Sequence, residues 1–208
     1  MHTRLKTLFL ATRNGHKKRE VQQILGANVL LLDETEFPQL PEIQEIGTTF
    51  EANARLKAEG ISRHISTWVL ADDSGLEVDA LDGEPGIYSA RYAGAQRSDL
   101  ENTNLVLKRM ENIPWIERSA RFWCFLALAR EGKSVAVFEG CIEGMISREI
   151  EGEGGFGYDP IFIPQGYEKT FGTLSQKTKN EISHRACALR KFALWWQQFT
   201  EESCTKES

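Results

Sequence analysis

Two adjacent carboxylates beside a hydroxyl and a glycine, Asp72-Asp73-Ser74-Gly75, are the densest chemistry in this sequence. Neighbouring anions repel unless a cation, hydrogen-bond donors or a proton relieve them. A divalent ion that prefers oxygen ligands, Mg²⁺ or alternatively Mn²⁺, is the natural relief. The apolar lead-in Trp68-Val69-Leu70-Ala71 has the length of a buried strand, which is expected to end in a turn at Asp72-Gly75. Successive side chains of extended backbone point to opposite faces, so one aspartate enters a cleft while the other braces the turn. Taken alone the tetrapeptide reads as a simple turn cap, because Asp, Ser and Gly dominate turns. The run that follows, with Pro85, Tyr88, Arg91 and Tyr92 among glycines, is poor packing material and good binding-loop material.

Four further groups suit a phosphorylated, planar ligand. Thr12, Asn14 and Lys17 follow the apolar segment Thr7–Ala11 and precede a helical pattern from Lys18 to Leu25 that Gly26 can end. Strand, polar loop and helix start place a hydroxyl, an amide, an ammonium and backbone N–H groups at an anion. The spacing is not a Walker motif, and the alternative is an N-capped helix with a solvated lysine. Asn53 and Lys57 are four apart in a helix expected over about Thr49 to Ile61, so they share a face from which Lys57 reaches a phosphate or only solvent. Glu45, just ahead of that helix, is a second candidate carboxylate ligand or an acidic residue favoured near a helix start. In Glu151–Pro160, Phe156 and Tyr158 offer π-faces, Asp159 an acceptor and Gly157 flexibility, which fits sandwiching a planar base or a glycine-rich turn. In one unbroken helix Lys179 and His184 would lie about 140° apart. A break near Ser183 is therefore predicted, with His184 and Arg185 as donors in the first turn of a new helix running to about Phe199. That helix is expected to bury Leu189, Phe192, Ala193 and Trp196.

These groups need a scaffold, and the composition permits one. The chain has 208 residues, 41% hydrophobic and 26% charged, which fits one soluble domain over 1–208 with a frayed tail at 200–208. A net charge of −5 argues against a nucleic-acid or membrane-surface partner, but leaves room for a small polyanion held by placed lysines and a metal. Four cysteines without a CxxC pattern point to reduced thiols in the cytoplasm, and no signal peptide or membrane span is visible. Val29–Leu32 reads as a second strand, Ser98–Asn112 as a helix capped by Ser98, and Ser119–Arg130 as a central strand apolar on both faces. Ser134–Ile150 returns beside it as one strand or two.

In order along the chain, T-R-N-G-H-K (Thr12–Lys17), E-I-G-T-T-F-E-A-N-A-R-L-K-A (Glu45–Ala58), A-D-D-S-G-L (Ala71–Leu76), P-G-I-Y-S-A-R-Y-A-G (Pro85–Gly94), G-G-F-G-Y-D-P-I-F (Gly154–Phe162) and S-H-R-A-C-A-L (Ser183–Leu189) resemble the Ham1/RdgB-type family of inosine and xanthosine triphosphate pyrophosphatases. The resemblance implies an elongated mixed α/β sheet flanked by helices, with two lobes and a cleft between them, usually in a homodimer. It implies Mg²⁺-dependent hydrolysis of ITP, dITP and XTP to monophosphate and pyrophosphate. By the same resemblance Asp73 is the general base and a metal carboxylate, and Glu45 shares the metal. Thr12, Asn14, Lys17, Lys57 and Ser74 line the phosphates. Phe156, Gly157, Tyr158, Asp159, His184 and Arg185 form the base pocket, and Lys179 contacts substrate. Arg13 stands where the family often has glycine, which crowds the loop or adds a cation to the cleft.

Inosine and xanthosine carry a 6-carbonyl where adenosine carries an amino group, so donation from His184 and Arg185 would reject adenine. Each unpaired buried polar group costs roughly 1–3 kcal/mol. Two other classes compete: a pyrophosphatase for other damaged nucleotides, and a nucleotide-binding protein without turnover. The second would dispense with Glu45 and Asp73, and both are present.

Overall fold

The first half of the chain builds two parallel crossovers about one strand. β1 (Lys6–Ala11), α1 (Gly15–Leu25) and β2 (Val29–Asp33) come first, and α2 (Phe50–Ser62) then carries the chain to β3 (Trp68–Val78) on the other side of β1. β1 is parallel to both of its neighbours. After α3 (Asp99–Arg109), β4 (Ser119–Arg130), β5 (Lys133–Ile146) and β6 (Phe162–Pro164) continue the sheet antiparallel, and α4 (Gln176–Ile182) and α5 (His184–Thr205) close the chain. The sheet order is β2-β1-β3-β4-β5-β6. The computed structural model describes residues 6–27, 29–94 and 98–205. No helix among them is long and apolar enough to cross a membrane.

The two-residue period of the strands sorts the core into layers. Leu8, Leu10 and Leu70 pack with Val21 of α1 and Leu189, Phe192 and Trp196 of α5. Phe9, Val69 and Ala71 face the other way, against Ala54, Ala58 and Ile61 of α2. Alanines on both sides of that second seam let α2 lie close to the sheet. A third core, including Leu76, Val106, Met110, Phe122 and Phe162, packs α3 against β3, β4 and β6.

Several expectations change. Asp72–Gly75 is not a turn. β3 runs through it for 11 residues, because β4 supplies partners in register, Asp73 opposite Phe125 and Gly75 opposite Trp123. Gly75 is required by a close approach: a Cβ there would lie 2.5 Å from Ser89 Oγ and 2.6 Å from the Gly86 carbonyl oxygen. Asn14 caps α1, which starts at Gly15 rather than Lys18. β5 is one strand, and it ends at Ile146. Ala193 is exposed, since the buried stripe of α5 passes through Leu189, Phe192 and Trp196. α5 is helical to Thr205, and of the tail expected to fray at 200–208, residues 206–208 lie outside the described residues.

Candidate active site

β1 stops pairing with β3 at Ala11–Ala71, whereas β3 continues along β4. The crossovers through α1 and α2 lie on opposite faces, so the carboxyl ends of β1 and β3 form a switch point, where ligand crevices arise in wound α/β sheets. A cavity of about 1130 Å³ opens there, bounded by the Thr12–Lys17 loop, the loop ahead of α2, Asp73, the 86–91 segment and the 156–159 loop. That volume accommodates a nucleoside triphosphate.

Asp73 stands in the wall, 8% exposed, and its Oδ2 has no hydrogen-bond partner among the described residues. Burial pushes its carboxyl up to about 6 against the pull of Lys57 and Lys17, with Glu45 and Asp72 adding to the rise. Glu45 reaches the same cavity from a loop pinned by the Gly47 N–H donating to Asn53 Oδ1 at 2.8 Å. Lys57 lies 2.6 Å from Glu45 and, although half-buried, keeps its charge more firmly than usual because Glu45 and Asp73 offset desolvation. Lys17 and Lys57 come from helices on opposite faces, yet both donate to the Asp72 carbonyl, at 3.4 and 3.2 Å. Two cations therefore converge next to Asp73.

Asp72 points into the other layer and is fully neutralised. Lys17 and Ser74 donate to its Oδ1, the latter at 2.7 Å, and Arg185 Nε donates to Oδ2 at 2.8 Å. Burial alone would raise its pKa, but Arg185 and Lys17 hold it well below the usual carboxylate range. Arg185 also pairs with Glu20, Glu20 lies 2.6 Å from Lys179, and Lys179 lies 2.5 Å from Asp159. Asp159 in turn accepts from the Phe156 N–H at 2.8 Å. This buried chain of charges ties together three of the residues expected to contact substrate. Arg185, Lys179 and Asp159 line the cavity, with Arg185 bonded to Glu20 and Asp72 and Lys179 bonded to Glu20 and Asp159. These pairs brace the pocket, and the bonds to Asp159 fall on its Oδ2.

Among the base-pocket candidates, Phe156 presents a ring to the cavity, tilted 30° against His16 at 5.2 Å, with Lys179 Nζ 4.6 Å from its centre. Tyr158 is buried and its hydroxyl donates to the Ser89 carbonyl at 2.8 Å, so it anchors the loop. Gly157 adopts a φ of +59°, which favours glycine. Its N–H donates to Asp99 at 2.8 Å, and its carbonyl accepts from Thr103 at 3.2 Å. Ser183 breaks the helices as expected, with ψ 158°, and its hydroxyl accepts from the Ala186 N–H. His184 then stacks on Phe122 with ring centres 4.7 Å apart. Burial, with Arg185 and Lys179, pushes its pKa well below the usual value, so it is neutral, and its Nδ1 has no partner among the described residues. In the phosphate loop Asn14 Oδ1 caps the His16 and Lys17 N–H groups, and Thr12 Oγ1 accepts from the Asn14 N–H. Arg13 lines the cavity 3.2 Å from Glu34, so it adds a paired cation to the cleft.

The Ham1 family model matches residues 8–195. The chain belongs to the Ham1 family. A dITP/XTP pyrophosphatase of Halalkalibacterium halodurans is 47% identical over 92% of this chain and 99% of its own length. That of Bacillus subtilis is 46% identical over 91% and 96%. A solved HAM1 protein of Coxiella burnetii is 38% identical with a TM-score of 0.83, covering 93% of this chain and 99% of that one.

Two residues of this Ham1 site, Glu20 and Asp99, lie outside the motifs, and two within them, Asp72 and Arg91, have partners that the motifs do not show. Glu20 carried a readable signal, since it lies three residues after Lys17 and on the same helical face. Asp72 was seen but assigned to a turn. Asp99 stands in the first turn of the α3 helix, and nothing local to it points to Gly157, 58 residues on.

Proposed function

We propose that this chain hydrolyses nucleoside triphosphates bearing deaminated purines, dITP, ITP and XTP, to the monophosphate and pyrophosphate. Asp73 carries the reading: a buried carboxylate with an unpartnered oxygen and a pKa near 6, set between two lysines in a cavity of triphosphate size. Asp73 and Glu45 are the residues that would hold a divalent ion, and two carboxylates that leave room for phosphate oxygens and water suit Mg²⁺. Such an ion supplies neutralisation of the triphosphate and a more acidic water. The orphaned Asp73 Oδ2 supports this fit.

Asp73 takes the proton of the attacking water as its oxygen bonds to the α-phosphorus. The bridging bond to the β-phosphate breaks, and pyrophosphate leaves with the bond's electron pair. Lys17 and Lys57 offset negative charge on either side of Asp73. The Thr12–Lys17 loop holds phosphate oxygens through its backbone N–H groups and the helix start. Phe156 stacks on the base. Neutral His184 meets the 6-carbonyl as a donor, and Arg185 positions it through the buried charge chain. The names of the relatives, dITP/XTP pyrophosphatases, support the same substrates. The proposal includes a cytoplasmic homodimer.

Offering dITP, XTP, ITP, GTP and ATP with Mg²⁺ and identifying the released phosphate tests it. Pyrophosphate from the first three is expected, with ¹⁸O from labelled water in the monophosphate alone. Orthophosphate as the product would move the protein to a different reaction.

A further inference from the structure

We propose that Arg91 is a substrate-contacting residue that receives the leaving pyrophosphate; this rests on the reaction proposed above. The other cations of the cavity wall are already matched to carboxylates. Lys17 and Arg185 hold Asp72, Lys57 lies 2.6 Å from Glu45, Lys179 lies 2.6 Å from Glu20, and Arg13 lies 3.2 Å from Glu34. Arg91 differs. Its Nη1 is 3.8 Å from Glu45, beyond hydrogen-bond reach, and that carboxylate is already taken by Lys57. Among the described residues it is the wall cation with the loosest partner.

Its backbone, by contrast, is held from three sides. Arg91 ends the 3₁₀ segment Gly86–Arg91, in which Ser89 Oγ accepts from the Leu76 N–H of β3 at 2.9 Å and the Ser89 carbonyl accepts from Tyr158 at 2.8 Å. Two residues on, the Ala93 N–H donates to Asn102 of α3 at 2.7 Å. The guanidinium lies over the Tyr88 ring, 5.2 Å from its centre, and the side chain is 33% exposed. A fixed base with a weakly engaged fork at the cavity mouth is a pre-organised anion receptor, and an arginine fork matches phosphate oxygens two at a time.

Charge placement says which phosphates. Lys57 and Lys17 act both on Asp73, where the α-phosphorus must sit, and on Glu45, whereas Arg91 is paired among the described residues with Glu45 alone, its Nη1 3.8 Å away. Arg91 thus lies on the Glu45 side of the reacting centre. Hydrolysis at the α-phosphorus builds negative charge on the departing pyrophosphate, and a cation there acts where charge develops. Arg91 loses its faint hold on Glu45 once that carboxylate serves a divalent ion, and it is then available to the β- and γ-phosphates.

Arg91→Gln and Arg91→Lys, with calorimetric binding of pyrophosphate plus Mg²⁺ and of inosine monophosphate, separate this from a scaffolding role. Arg91→Gln is expected to weaken pyrophosphate roughly 10- to 100-fold, the scale of a hydrogen bond to a charged group, with monophosphate affinity within about twofold. Arg91→Lys is expected to recover part of the loss. Unchanged pyrophosphate binding overturns the assignment, as does equal weakening of both ligands. The activity reading is checked apart from this, by whether the unmodified protein releases pyrophosphate from dITP.

Discussion

Asp72 and Asp73 are neighbours on one strand and live in different chemistry. Asp72 faces the α1 and α5 layer, where both oxygens are bonded, by Lys17 and Ser74 on one side and by Arg185 and Cys124 on the other. Asp73 faces the α2 layer, where Lys57 is shared with Glu45 and one oxygen has no partner among the described residues. Both are buried, so desolvation penalises both charges, yet the pKa of one falls and that of the other rises to about 6. The difference is the number of committed donors. A carboxylate whose electrostatics are satisfied holds elements together, and one left unsatisfied is poised to accept a proton or a metal.

The comparison breaks most sharply at Asp73. Asp73→Asn removes the proton acceptor, and turnover of dITP should fall by about 10³-fold, within the range for a general base. The variant should remain folded by circular dichroism; activity within about tenfold of the starting protein would take the base role from Asp73. Asp72→Asn should do the reverse. It leaves Lys17 and Arg185 short of a buried countercharge, and breaking a buried pair costs about 3–5 kcal/mol. Urea unfolding should register that loss, and a stability change under about 1 kcal/mol would show that Glu20 alone suffices to hold Arg185.

Legibility in the sequence follows the same division between local and remote causes. Ser119–Arg130 is recovered residue for residue, because both faces are apolar and the Glu131-Gly132 turn bounds it. The Ser98 and Ser183 caps are read correctly, since a cap needs only its own turn. The candidate residues do gather at one cavity, as their motifs suggest. The continuation of β3 through Asp72–Gly75 is not readable locally, because it depends on β4 some fifty residues away. The duties of Arg185 are hidden for the same reason: its carboxylates lie 113 and 165 positions distant in the chain. A side chain's type announces what it can donate, but not what has already accepted.

A smaller effect sharpens the contrast through pH. The folded pKa of Asp73, about 6, exceeds the roughly 3.9 of an unfolded aspartate. The fold therefore takes up a proton between these values, and the stability this confers is lost as pH rises through about 6. Above that, the ionised carboxylate is a standing cost in the metal-free protein. Asp73→Asn should accordingly be more stable than the starting protein by about 3 kcal/mol at pH 8. The advantage should shrink towards zero at pH 4. A variant that gains nothing at pH 8 would mean that Lys17 and Lys57 neutralise Asp73 as fully as its neighbour is neutralised.

The smallest effect belongs to Cys124. Its thiol donates to Asp72 Oδ2 at 3.3 Å from a buried position on β4. A thiol is a weak donor, and Asp72 keeps Arg185, Lys17 and Ser74 without it. Cys124→Ala should therefore cost only about 1 kcal/mol, close to the packing of one buried heavy atom, with dITP turnover unchanged. Redundancy is the reason: on the Asp72 side any single weak partner is dispensable because the charge is already met. A loss of 3 kcal/mol or more on chemical denaturation, or a fall in turnover, would show that the thiol is integral to the balance and that Asp72 is less secure than its contacts indicate.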